Sequence, residues 1–324
     1  MIITQTPFRL SFAGGGTDLK AFYERDYGAV FSVALNHHMY VTIHKRFEND
    51  FRISYSRTDL ADTVESIPHD LARESMKLVG VNEPLEVTTI ADVPAGTGLG
   101  SSSTLTVGLL NAFHAYGGKV SNSSSLAEQA CEIEIGQLGN PIGKQDQYAA
   151  AFGGMNYIRF NQDGTVRVDP IPCDLQTRRE IESHSLMVYT AQQRSASKIL
   201  EKQTQGTADK FSVLMEMRDM AGEMRNIISS GANMKEFGDL LHEGWKLKRS
   251  LGFGITNPMI DDWYSAARKA GAIGGKLLGA GGGGFLYFIA PPETHSKILA
   301  ALGNPKTLPV SFDPQGSRIA FISN

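Results

Sequence analysis

The chain has 324 residues, 41% of them hydrophobic and 20% charged, an ordinary composition for a folded protein with apolar material enough for a sizeable core. Lys and Arg total 31 against 34 Asp and Glu, a formal net charge of −3, so no basic excess points to nucleic acid. Cys131 and Cys173 form no CxxC or Cys/His cluster, which argues against a disulfide framework and a structural zinc site.

In chain order, residues 2–12 alternate and read as a strand, broken at Gly14-Gly15-Gly16. Residues 29–35 and 39–45 read as two more strands. His37 and His38 are neighbours on an extended segment and point to opposite faces, so one metal ion cannot be shared between them. A short helix is predicted over 71–79. A strand over 85–90 leads into a glycine-rich turn, and a helix follows over 101–116, with Leu105, Leu109, Leu110 and Phe113 on one apolar stripe. A second helix is predicted over 123–136. Residues 139–152 begin as a loop and become helical near Gln147, and 156–169 read as a hairpin turned at Gln162-Asp163-Gly164.

Residues 174–184 are charged and polar, and 186–190 form a strand. Helices are predicted over 193–232, 235–250 and 258–271, the first two together rich in Met, Lys and Glu, and Met215, Met217, Met220, Met224 and Met234 read as adaptable core packing. A third glycine-rich run, 274–284, precedes a strand over 285–289. The composition shift places a boundary near residue 180, giving expected domains 1–180 and 181–324. No apolar run reaches the roughly 20 residues that a membrane helix needs, and the first residues lack a basic-then-apolar leader pattern. The expectation is a cytoplasmic protein with neither a membrane nor a nucleic-acid partner.

The segment 94–104, Pro-Ala-Gly-Thr-Gly-Leu-Gly-Ser-Ser-Ser-Thr, sits between a predicted strand and a predicted helix. Gly96, Gly98 and Gly100 let backbone N–H groups approach an anion, and Ser101, Ser102 and Ser103 open a helix whose first turn favours phosphate. A glycine turn with a serine cap is the plainer reading, but three glycines and three serines exceed what a cap needs. No GK[ST] follows, so this is not a Walker A loop. Gly279, Gly281 and Gly284 do fit G-x-G-x-x-G, yet a strand follows where a dinucleotide fold needs a helix. That run is either a tight connection or a loop that presses its backbone against the first glycine turn.

Arg9 falls in a strand and, taken alone, reads as a solvated edge residue. Asp18 reads equally as an N-cap for 19–25 or as a functional acid. Glu134 and Asp146 are carboxylates separated by a Gly/Pro-containing loop. Phosphoryl transfer needs a metal ligand and a group that accepts or orients the attacking hydroxyl, and one acid can serve each role. A solvated helix face explains Glu132 and Glu134 as well, and these residues alone leave the choice open.

Taken together, these segments resemble the GHMP kinase family, named for galactokinase, homoserine kinase, mevalonate kinase and phosphomevalonate kinase. Pro94, Gly96, Thr97, Gly98, Leu99, Gly100, Ser101, Ser102, Ser103 and Thr104 are similar to its phosphate loop, residues 7–19 to its first motif, and 277–285 to its third. The resemblance implies an α/β (α+β) fold with a ribosomal-protein-S5-like N-terminal domain and a ferredoxin-like C-terminal one. It implies ATP bound at 94–104 and Mg²⁺ on Ser102 and Glu134. It also implies Asp146 near the acceptor hydroxyl, with Arg9 close to that aspartate, and substrate contacts from Gly15, Gly16, Thr17, Asp18, Gly281 and Gly282. Lys144, two residues from Asp146, is expected to keep it ionised.

Where galactokinases carry Gly-Glu-His-Thr-Asp, this chain reads Gly14-Gly15-Gly16-Thr17-Asp18, which opens space at the sugar site. The AGGGTDL, GKQDQ and KLLGAGGGGF strings resemble the bacterial D-glycero-D-manno-heptose 7-phosphate kinase branch. That resemblance implies ATP-dependent phosphorylation of an anomeric hydroxyl to a 1,7-bisphosphate, with a fucokinase-type sugar 1-kinase as the competing reading. A catalytically silent sugar sensor of the same fold is the non-kinase reading, and the two acids argue against it. A sugar phosphate needs a second anion site. Arg194 and Lys198, four apart on a predicted helix, are the candidates, with Lys246, Lys248 and Arg249 a looser cluster. The expected protein acts alone or as a homodimer on a small-molecule sugar phosphate.

Overall fold

The computed structural model describes residues 1–192, 200–201, 207–208, 210–231, 233–252 and 254–323. Its strands are β1 (Ile2–Ala13), β2 (Gly28–Lys45), β3 (Phe51–Ser54), β4 (Thr58–Ala61), β5 (Leu85–Ala91), β6 (Met155–Phe160) and β7 (Val166–Pro170) in the first half. The second half adds β8 (Ser185–Tyr189), β9 (Gly274–Leu277), β10 (Phe285–Ile289), β11 (Thr307–Leu308) and β12 (Arg318–Ile322). One sheet runs β12-β1-β2-β5-β3-β4, with β6 and β7 continuing from β2; the other runs β11-β8-β10-β9.

β2 is one strand where the sequence reads as two. Its first part pairs with β6 and its second with β5, so each apolar run has its own partner. The intervening His38 is buried and hydrogen-bonded to Asp313, 2.7 Å away. β1 lies along the whole of β2, and its register slips between Pro7 and Arg9. Proline has no N–H to give a ladder, and at Arg9 the backbone N–H goes to Leu99 O of the glycine turn, 3.2 Å away. The sheet is thereby tied to the loop between β5 and the next helix.

Helix α1 (Lys20–Tyr23) and α2 (Asp70–Val79) precede α3 (Ser101–Tyr116), which is buried almost all round, residues 103–114 included. It is a central helix and not the one-sided one its stripe suggests. α4 (Ser123–Cys131) ends earlier than expected and widens into a π-helical turn, Glu132–Gln137, which buries Glu134. Such a bulge changes the helical phase and re-aims one side chain. α5 (Gln145–Phe152) follows. The polar stretch 174–184 is α6 (Leu175–His184), capped by the Asp174 side chain on the Thr177 N–H.

The second half continues with helices Phe211–Ser229, Met234–Ser250 and Pro258–Ala270. Of the helix expected over 193–232, residues 193–199 lie outside the described residues. The glycine run at 274 contains β9, an element the sequence reading missed. A separate apolar cluster gathers Trp245, Ile260, Leu277 and Phe288 in this half. The last strand crosses the expected division at 180: β12 pairs with β1, Ile2 facing Ile322. Among the described residues no helix is long and apolar enough to cross a membrane.

Candidate active site

The loop between β5 and α3 alternates in character. Gly96, Gly98, Gly100, Ser101, Ser102 and Ser103 line a cleft of about 360 Å³. The residues between the glycines turn inward. Thr97 is buried with its hydroxyl on Pro94 O, Leu99 is buried, and Thr104 donates to Gly100 O. Pro94, Thr97, Leu99 and Thr104 are therefore framework and not lining. Gly98 and Gly100 both take positive φ, +82° and +78°, which keeps their backbones bare toward the cleft. Gly100 is the N-cap of α3 and supplies no side chain to it, so the first-turn N–H groups stay available to an anion.

The third glycine run presses on this loop. A Cβ on Gly98 would lie 2.6 Å from Leu278 O, and one on Gly279 would lie 2.5 Å from Gly98 Cα. Of the two readings left open for 279–284, the backbone-to-backbone one is observed. Gly281 lines the cleft. Gly282 instead gives its N–H to Ile255 O at 2.8 Å and is not among the lining residues.

Arg9 is 4% exposed and grips Asp146 with two donors, Nε to Oδ1 and Nη2 to Oδ2, both at 2.7 Å. Its third donor, Nη1, reaches Gly98 O at 2.7 Å. One guanidinium thus joins the acid to the glycine loop, and the solvated-edge reading of Arg9 does not hold. Lys144 does not supply the charge beside Asp146. Its Nζ donates to Gly164 O at 2.7 Å and lies over the Tyr23 ring, so the partner of Asp146 is Arg9.

Asp18 is buried and lines the cleft, accepting from the Gly16 N–H at 2.9 Å and the Gln145 N–H at 3.3 Å. Burial, with Asp146 nearby, raises its pKa. It is not the cap of α1, whose N-cap is Leu19 without a side-chain bond. Gly15 and Gly16 line the cleft beside it. Thr17 does not: it is buried, with its hydroxyl on Gly14 O and Ala29 O, and it holds the first motif to β2.

Ser102 Oγ donates to Glu134 Oε1, and Gln147 Nε2 donates to Oε2, each at 2.7 Å. Burial pushes the Glu134 carboxyl up to about 7, against the hydrogen-bonding side chains of Ser102, Ser103 and Gln147, which favour its charged form. A hydroxyl and a carboxylate side by side are hard oxygen donors of the kind Mg²⁺ takes, and such ions complete their shell with water and phosphate oxygens. Among the described residues no group of three His, Cys, Asp or Glu could hold a metal.

Two residues of the site, Gln147 and Lys276, escaped the sequence reading, and a third, Lys248, was read only as one of a loose surface cluster. Gln147 is the inward partner of Glu134. Lys248 and Lys276 line the cleft, although both are largely buried. Lys248 was legible in part, because it follows Met234, Phe237, Leu241 and Trp245 on the buried face of its helix, where a cation is out of place. Arg194 and Lys198 lie outside the described residues.

The sequence matches the family model for the GHMP kinases N terminal domain over residues 65–154 and that for the GHMP kinases C terminal over residues 224–305. A D-glycero-alpha-D-manno-heptose 7-phosphate kinase of Campylobacter jejuni is 30% identical over 320 residues, 93% of each chain. The chain belongs to the GHMP kinase family. This GHMP kinase is accordingly an enzyme, a phosphotransferase with an alcohol group as acceptor. It is also 30% identical over 258 residues, 76% of its length, to an L-fucokinase/L-fucose-1-P guanylyltransferase of Bacteroides fragilis, of which the match spans 26%. In structure it resembles a D-glycero-D-manno-heptose 1-phosphate kinase from Bacteroides thetaiotaomicron, with a TM-score of 0.84, 26% identity and full coverage of both chains.

Proposed function

We propose that this GHMP kinase transfers the terminal phosphoryl group of ATP to the anomeric hydroxyl of D-glycero-D-manno-heptose 7-phosphate, forming the 1,7-bisphosphate. The observation that carries the reading is the Arg9 clamp, which joins Asp146 to Gly98 and so sets an acid against the phosphate loop. The choice of sugar is supported by likeness, over nearly all of its length, to the Campylobacter jejuni heptose 7-phosphate kinase.

In this reading the bare backbone of Gly96, Gly98 and Gly100 and the open first turn of α3 hold the nucleotide phosphates. Asp146 faces the acceptor hydroxyl and takes or orients its proton, while Arg9 fixes both carboxylate oxygens. An anomeric hydroxyl is more acidic than an ordinary alcohol, so the demand on Asp146 is modest and positioning carries much of the rate. Gly15, Gly16 and Asp18 meet the sugar, and Gly281 closes the opposite wall. Ser102 and Glu134 would hold Mg²⁺, which when bound offsets charge on the phosphate oxygens.

The fucokinase-type reading is kept because a fucokinase-bearing protein is equally identical over a shorter span. The bare Gly14-Gly15-Gly16 turn favours the bulkier seven-carbon acceptor. An ATP-coupled screen of heptose 7-phosphate, fucose, galactose, mannose and mevalonate decides, with the product position read by phosphorus NMR. Heptose 7-phosphate should give the highest kcat/KM and a signal at the anomeric phosphate. Preference for fucose transfers the assignment to that sugar.

A further inference from the structure

Five charged side chains line the cleft among the described residues: Arg9, Asp18, Asp146, Lys248 and Lys276. Arg9 is committed to Asp146. Lys276, 7% exposed, is committed to the framework, with Nζ on Ser11 O at 2.7 Å and Phe12 O at 3.0 Å, where it ties β9 to β1. Lys248, 8% exposed, has a single acceptor among the described residues, Gly279 O at 2.5 Å. Neither lysine forms an ion pair among the described residues. A buried ammonium without an ion-pair partner is costly, and burial lowers the pKa of both lysines, so an anion brought into the cleft is favoured beside Lys248.

The position of Lys248 says which anion. Its one acceptor belongs to the glycine run whose Gly279 packs on Gly98 of the phosphate loop. Arg9 and Asp18, which line the same cleft, are near enough for their charges to act on it. It therefore stands where donor phosphates and acceptor hydroxyl meet, on a helix of the opposite half of the molecule. We infer that Lys248 is a catalytic residue whose ammonium turns from the Gly279 carbonyl onto the phosphoryl group as it passes from nucleotide to acceptor.

The inference rests on the ATP-dependent transfer proposed above and not on the identity of the sugar. In the step, the bond from phosphorus to the nucleotide's bridging oxygen breaks and a bond from phosphorus to the acceptor oxygen forms. The acceptor's proton passes to Asp146, and Lys248 gains and loses nothing. A preorganised cation at the site of moving negative charge lowers the barrier without binding the acceptor itself. Its own titration is a second handle. Burial and Arg9 pull the Lys248 pKa to about 8, with Asp18 opposing, and Lys276 is the other cation facing it from β9. The free enzyme should then lose kcat/KM as pH rises through that value.

The test uses the full chain carrying Lys248→Met or Lys248→Arg, with ATP and the best acceptor of the screen. Lys248→Met should lower kcat by about 10²–10³-fold while acceptor KM moves by less than about threefold. Lys248→Arg should recover much of kcat and lose the alkaline limb near pH 8, because a guanidinium stays charged. A kcat for Lys248→Met within about threefold of the parent overturns the inference, as does a rise in acceptor KM at constant kcat. An unmoved alkaline limb in Lys248→Arg overturns it too. Should no acceptor be turned over, calorimetry with AMPPNP and ADP still decides. The parent's preference for the triphosphate analogue should fall about tenfold in Lys248→Met, and an unchanged preference overturns the inference.

Discussion

Glu134→Gln tests whether this site holds instability in exchange for function. In the folded protein the Glu134 carboxyl sits at about 7, against an ordinary 4.5, because it is buried. At pH 8 it is ionised in both folded and unfolded chains, but the folded one bears the cost of an anion out of water. The gap, at about 1.36 kcal/mol per pH unit, comes to roughly 3 kcal/mol. The sign follows from the raised pKa. Below pH 4.5 the group is neutral in both states and costs nothing; the cost accumulates up to about pH 7 and is constant above. Glutamine keeps the shape and never carries the charge. Its new amide N–H can be met by Gln147 Oε1, a buried acceptor with no partner, once that amide turns over. For a chain of 324 residues about 1 kcal/mol moves Tm by roughly 1.5 °C, so the variant should melt about 4 °C above the parent at pH 8. At pH 5 the difference should shrink to about 1 °C. Scanning calorimetry of the metal-free proteins at both pH values reads the difference. A variant less stable than the parent at pH 8, or an advantage equal at the two pH values, refutes the reasoning. Turnover supported by Mg²⁺ should fall steeply in the same variant.

Asp146→Asn should lower kcat by about 10²–10⁴-fold, the range for losing a positioned acid or base, and near-normal turnover at saturating sugar would remove Asp146 from the proton path. Gly98→Ala adds about 1–2 kcal/mol of left-handed strain at φ +82° and drives a methyl to 2.6 Å from Leu278 O. The two glycine runs should separate, lowering both Tm and nucleotide affinity. Parent-like values in thermal melting and calorimetry would show that the close approach is not needed.

What was legible in the sequence is what depends on backbone. The loop at 94–104 needs bare glycines and a helix start, and both are local, so the position and ends of α3 follow from consecutive residues. The third glycine run is legible for the same reason, although the strand inside it, β9, is not. Its residues Gly274 and Gly275 carry little strand propensity, and pairing with β10 is what makes them extended. β2 is hidden differently. Its two partners, β5 and β6, divide its apolar pattern at Asn36-His37-His38, and only the assembled sheet shows one strand.

Charge pairing resisted prediction because it is decided by what meets what in space. Lys144 stands two residues from Asp146, yet its side chain leaves toward Gly164, and the cation that arrives is Arg9, 137 positions away. α5 carries the acid inward while Lys144 precedes the helix and points past it. The same logic governs Lys248. Its helix is buried by Phe237, Leu241 and Trp245, and the next position on that face opens onto the cleft and not into the core. A lysine there keeps its stem among apolar neighbours and its ammonium at the seam between the two glycine runs. Neither half of the molecule holds the complete set of lining charges among the described residues: Arg9, Asp18 and Asp146 come from the first, and Lys248 and Lys276 from the second. Close approach of Gly98 and Gly279 is therefore the condition under which the positive charge of one half reaches the acids and glycine loop of the other.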